Sequence, residues 1–69
     1  MTDINLLYSK IVLNGENWES LAKLLGISSQ ALAKKKNGES AWSQLQIKTI
    51  VDHYGLTPQD TIAIFFSHM

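Results

Sequence analysis

Leu21–Gly38 reads LAKLLGISSQALAKKKNG, and the fold turns on how this stretch is read. Leu21, Ala22, Leu24 and Leu25 make an apolar face at helical spacing. Gly26 stops that helix, because a terminal residue in the left-handed region costs least without a β-carbon. Ser28 then caps a second helix by accepting from its free backbone donors. Ile27 before the cap and Leu32 after it are placed as a hydrophobic staple, which fixes the angle between the two helices. The second helix carries Ser29, Gln30 and Lys34, and Asn37-Gly38 closes it. The local chemistry specifies two short helices joined by a tight turn, the second polar and basic.

The flanking sequence adds three more helices. Thr2 or Asp3 caps a first helix running to about Asn14, with Gly15 as its stop. Ile4, Leu7, Tyr8 and Ile11 form its core stripe, and Leu6 and Leu13 lie almost opposite. Asn17 caps the helix that precedes Gly26, placing Trp18 and Glu19 in its first turn, where an acid suits the positive helix end. Ser43 and Gln46 form a capping box with Trp42 and Ile47 as its staple, opening a fourth helix that runs to about Tyr54 and stops at Gly55. Thr57-Pro58-Gln59-Asp60 opens a fifth with a cap, a proline at the first helical position and an acid three residues after the cap. Ile62, Phe65 and Phe66 are assigned to its inward face. Nothing reads as a strand.

The chain has 69 residues, 45% of them apolar, which suits one small helical domain. It has no cysteine, so disulfides and cysteine-based zinc sites are excluded and an intracellular setting is expected. No stretch approaches the roughly 20 apolar residues of a membrane span. The N-terminus carries Asp3 and no long apolar run, so no signal peptide is expected. His53 and His68 stand alone, without acids or thiols at ligand spacing, and do not make a metal site. No nucleophile–base pair, phosphate loop or carboxylate pair stands out, so a non-enzymatic protein without a cofactor is expected.

Residues 21–38 resemble the Cro/cI-type (lambda-repressor-like, XRE) helix–turn–helix of phage and bacterial regulators. The likeness rests on Leu21-Ala22, Gly26, Ile27, Ser28 and the closing Asn37-Gly38. Trp42, Ile47, Ile50 and GLTPQDTIAIFF at 55–66 resemble the last two helices of small phage-encoded Cro-like proteins, so the similarity covers nearly the whole chain. One stretch departs from the pattern: Lys34-Lys35-Lys36 stands where the family usually has an apolar residue. At about 100° per residue, Lys35 and Lys36 flank Leu32 on the inward side, so their stems must lie along apolar surface while the amines reach water.

The resemblance implies an all-α, compact five-helix lambda-repressor-like domain spanning 1–69, with its helix–turn–helix at about 18–38. It implies a cytoplasmic transcription regulator in a bacterial host cell, repressor-like and of phage or prophage origin. Its partner would be a double-stranded DNA operator, with no membrane or small-molecule ligand involved. Helix 29–37 would enter the major groove while the preceding helix crosses the backbone. Gln30, Ala33, Lys34 and Asn37 face outward together and Ser29 sits at the exposed helix start. Base contacts are expected from Ser29, Gln30, Ala33 and Lys34, since glutamine pairs with adenine, lysine with guanine, and an alanine methyl touches thymine. Phosphate contacts are expected from Asn17, Trp18, Lys35, Asn37, Ser40 and Ser43, through side chains or helix-start amides.

Charge cuts both ways. The net charge is zero, but residues 28–48 hold four lysines and one acid, leaving that region at +3 and the remainder at −3. Such a dipolar chain can offer a basic face to phosphate. There is no arginine, so guanine readout would fall to lysine. Neutral charge and missing arginine favour an alternative, a protein-interaction module on the same fold, antirepressor or antitoxin-like. The outward Gln30/Lys34 pair favours DNA. A neutral domain with few contacting side chains needs two linked half-sites roughly 34 Å apart, hence a homodimer. Ile64 points nearly opposite Ile62, Phe65 and Phe66 on the helical wheel, and such leftover apolar residues often mark a contact surface, so Ile64 is the expected dimer contact.

Overall fold

The computed structural model describes residues 2–66. Five helices follow in order: α1 (Ile4–Leu13), α2 (Trp18–Leu25), α3 (Ser29–Lys36), α4 (Gln44–Tyr54) and α5 (Pro58–Phe65), with no strand among the described residues. No described helix is long and apolar enough to cross a membrane. His68 lies outside the described residues.

Each helix starts at a side-chain cap. Asp3, Asn17, Ser28, Ser43 and Thr57 each accept from the backbone N–H three residues on, at 2.9–3.0 Å. Ser43/Gln46 and Thr57/Asp60 both close reciprocal capping boxes. Asn14 and Asn37, expected as last helical residues, are instead the C-caps of α1 and α3. Gly26 ends α2 at φ 68° and ψ 32°, a left-handed conformation that a β-carbon would strain. Beside it the Ile27 N–H donates to the Ala22 carbonyl at 3.0 Å, so the chain turns sharply into α3.

All five helices contribute to one core. Leu7 and Ile11 come from α1, Leu21 and Ala22 from α2, Leu32 from α3, Ile50 and Tyr54 from α4, and Ile64 from α5, with Leu56 entering from the α4–α5 connection. α1 packs against α2 and α5, and α2 packs against α3. The N-terminal arm closes over α5: the Asp3 N–H donates to the Ile64 carbonyl at 2.8 Å. Lys10 of α1 and Asp60 of α5 pair at 3.4 Å nearby. The Trp42 indole donates to the Thr2 hydroxyl at 2.8 Å and meets Phe65 edge-on at 5.6 Å between centroids.

The phase of α5 corrects the sequence reading. Ile64, expected on the surface as a dimer contact, is fully buried, while Ile62 and Phe66, expected inside, are 60% and 51% exposed. Only Phe65 of the expected inward set packs against the core. Residues 62–66 read IAIFF, so this helix end is apolar all round and its periodicity names no inward face. The phase is imposed from outside, by Leu56 entering the core ahead of the Thr57 cap and by the Asp3 hydrogen bond to Ile64. A smaller correction applies to α1: Leu6 packs against the core, whereas Tyr8 is 41% exposed.

Ile64→Ala should therefore lower the unfolding free energy by about 2–5 kcal/mol. Ile62→Ala should stay within about 0.5 kcal/mol of the parent. Urea midpoints with unchanged slopes measure both, and equal costs at the two positions would refute this packing of α5.

Candidate nucleic-acid interface

α3 is a short polar helix with a single buried residue, Leu32. Ser29, Gln30, Ala33 and Lys34 are exposed, as is the cap residue Asn37. At about 100° per residue these five positions span one continuous arc of about 140°. Amide, ammonium, hydroxyl and methyl groups thus share one convex surface on a helix whose opposite side is anchored. All four expected base-contacting residues lie on it, together with Asn37.

The two lysines beside Leu32 leave the arc in opposite directions. Lys36 places its Nζ 4.1 Å from the centroid of the Trp18 ring, and Trp18 in turn stacks on Tyr8 at 5.2 Å and 19°. Trp18, Glu19, Ser29, Leu32 and Lys36 line a shallow cleft of about 300 Å³ between the start of α2 and one edge of α3. On the other side, Lys35 donates to the Ala41 carbonyl at 2.8 Å and to the Ser40 hydroxyl at 3.4 Å, with its Nζ 5.9 Å from the Trp42 ring centroid. The sequence expects Lys35 on phosphate, but its ammonium ties the end of α3 to the following connection. Ser40 is engaged in the same tie.

The other expected phosphate contacts sit at helix starts. Asn17 is exposed and directs Oδ1 to the Ser20 N–H at 2.9 Å, while Ser43 directs its hydroxyl oxygen to the Gln46 N–H at 3.0 Å. Capping occupies only acceptor lone pairs on these oxygens, so the Ser43 hydroxyl hydrogen and the Asn17 amide hydrogens, with the first-turn amides, can still be donated to a ligand. Trp18 is half-buried between Tyr8 and Lys36. Ile64 lies in the core and belongs to no surface.

Ion pairing narrows the mobile positive charge. Lys10 pairs with Asp60, and Lys48 pairs with Asp52 at 2.8 Å, a hydrogen bond that raises the Lys48 pKa. Lys23 and Lys34 are exposed and enter no ion pair among the described residues. Among those residues no group of three or more His, Asp or Glu gathers to hold a metal ion.

Glu16, which sequence reasoning passed over, fixes the start of α2. Its carboxylate accepts from the Tyr54 hydroxyl at 2.9 Å and is hydrogen-bonded to His53 Nε2 at 2.8 Å, joining the α1–α2 connection to the end of α4. The bonds to His53 and then Tyr54 hold the Glu16 pKa below its ordinary 4.5, against the opposing effect of burial. Burial first, and then the bond to Glu16, push the Tyr54 pKa upward. Tyr8, which the sequence places in the α1 core stripe, and Lys36 also belong to this surface. Lys36 is legible as a flank of Leu32, but its contact with Trp18 has no local signal, since the two lie 18 positions apart and meet only through the crossing of α2 and α3.

No family model matches the chain, and neither does any curated protein or solved structure.

The Glu16 cluster predicts an acid-side stability loss. A carboxyl held below its unfolded pKa contributes stability that is present above about pH 4.5 and is lost as pH falls through the lowered folded value. Asp60, lowered by its backbone bond at Thr57 and by further contacts including Lys10, acts in the same direction. The gap between wild type and Glu16→Gln should be present above about pH 4.5 and shrink toward about pH 3, as read from urea midpoints. A gap independent of pH would show that Glu16 is not so held.

Proposed function

We propose that this chain is a sequence-specific, double-stranded-DNA-binding transcription regulator of the Cro/cI, lambda-repressor-like kind. The observation that carries the reading is the exposed arc of α3, where Ser29, Gln30, Ala33, Lys34 and Asn37 stand together opposite the buried Leu32. An α-helix fits the major groove, and these side chains are of the kinds that pair with base edges there. α2 crosses the backbone, with phosphate contacts from Lys34 and from first-turn amides beside Asn17 and Ser43. The left-handed Gly26 makes the sharp turn from α2 into α3 on which this docking relies.

Selection from random duplexes identifies the operator, and substitutions then test the arc. Gln30→Ala should cost about 1–3 kcal/mol at one base position and flatten preference there. Lys34→Ala should weaken binding and, through a lost phosphate contact, make the salt dependence shallower by about one unit per subunit. Both variants should remain folded, because both side chains are exposed. Full operator affinity in the double variant would remove α3 from the interface.

The working form is a two-fold dimer on paired half-sites. With Ile64 in the core, the apolar residues that α5 offers are Ile62 and Phe66, one turn apart and both more than half exposed. Ile62→Asp should lower the sedimenting mass and weaken a palindromic site far more than a half-site. An unchanged mass with a dimeric wild type would place the contact elsewhere. The same exposed pair, with the zero net charge, favours the second reading, a protein-interaction module on this fold. Absence of any affinity for mixed-sequence duplex at low salt would select it.

A further inference from the structure

Tyr8, Trp18 and Lys36 form a three-layer stack that neither the capping chemistry nor the α3 arc requires. Tyr8 belongs to α1, Trp18 to the first turn of α2, and Lys36 to the last turn of α3. The two rings lie 5.2 Å apart and nearly parallel, and the ammonium sits 4.1 Å from the outer ring's centroid. A lysine side chain ordinarily loses much rotamer freedom when it is held in one place. Here the ring quadrupole holds the ammonium before any ligand arrives, while the charge stays accessible at the mouth of the cleft shared with Ser29 and Glu19. A cation fixed in advance suits an anionic oxygen, and at the edge of a groove-binding helix that oxygen belongs to a phosphate diester.

We propose that the Tyr8–Trp18–Lys36 stack is a prebuilt clamp for one backbone phosphate of a nucleic-acid duplex, flanking the α3 arc on its α2 side. The assignment rests on the DNA reading above and extends it. Lys36 is the positioned cation, Trp18 its platform, and Tyr8 the support that keeps the indole in place. Lys35, the sequence neighbour, does not share the role, because its ammonium is directed to the Ala41 carbonyl. Glu19 lines the same cleft and opposes a phosphate there, so it tunes the clamp downward.

The test is fluorescence anisotropy of a labelled mixed-sequence 20-base-pair duplex, titrated at several KCl concentrations with wild type, Lys36→Met, Lys35→Met, Glu19→Gln and Trp18→Leu. Circular dichroism checks each fold. Lys36→Met should make the plot of log affinity against log salt shallower by about one unit per subunit, as loss of one phosphate contact requires. Lys35→Met should leave that slope unchanged. Glu19→Gln should tighten binding at every salt concentration. Trp18→Leu, which keeps the charge and removes the platform, should weaken binding with a smaller change in slope than Lys36→Met. An unchanged slope in Lys36→Met, with wild type binding duplex, overturns the clamp and leaves the DNA reading standing. Wild type that binds no duplex overturns both.

Discussion

Leu32 is the side chain that ties α3 into the core, and everything presented on the outer arc of that helix depends on the tie. A helix of eight residues does not hold itself together in water, because too few hydrogen bonds follow its costly nucleus. Its stability here comes from outside. Burying one leucine contributes about 1.5–3 kcal/mol. The Ser28 cap adds about 1 kcal/mol. The lysine held over Trp18 adds about 0.5–1 kcal/mol at an exposed site. These terms are of similar size, so the basic end of α3 is as much part of its attachment as the cap at its start. That explains how a helix ending in three successive lysines stays attached to the core.

The same attachment distributes the charge. Lys35 is turned inward to the α3–α4 connection, Lys10 and Lys48 face carboxylates, and Lys36 is fixed over an indole. Lys34 is left as the outward cation at one edge of the polar face, beside a glutamine. This surface offers a few placed hydrogen-bonding groups rather than a broad positive field. In a chain with zero net charge and no arginine, long-range attraction for an anionic surface is weak and short-range contact geometry carries more weight.

Helix boundaries were legible because their signals are local. Caps at Asp3, Asn17, Ser28, Ser43 and Thr57 act over three residues, and Gly26 and Gly55 stop their helices through their own backbone conformation. The exposed arc of α3 was legible for a different reason. A polar helix with one leucine at its centre has a single way to face a core, so Leu32 alone names the outer residues. α5 had no such asymmetry. With apolar residues at every position from 62 to 66, its wheel supports more than one inward face, and the one it suggests leaves the buried Ile64 outside.

By itself, then, the sequence determined five helices, their caps and stops, and which side of α3 is polar, because those follow from interactions within about one helical turn. Tertiary structure alone decided that Ile64 is interior, that Glu16 anchors α2 to His53 and Tyr54, and that Lys36 rests on Trp18 above Tyr8. Each of these pairs residues far apart in the chain, or chooses between helix faces of equal hydrophobicity. The deciding energy is the joint packing of several elements, which no single segment encodes.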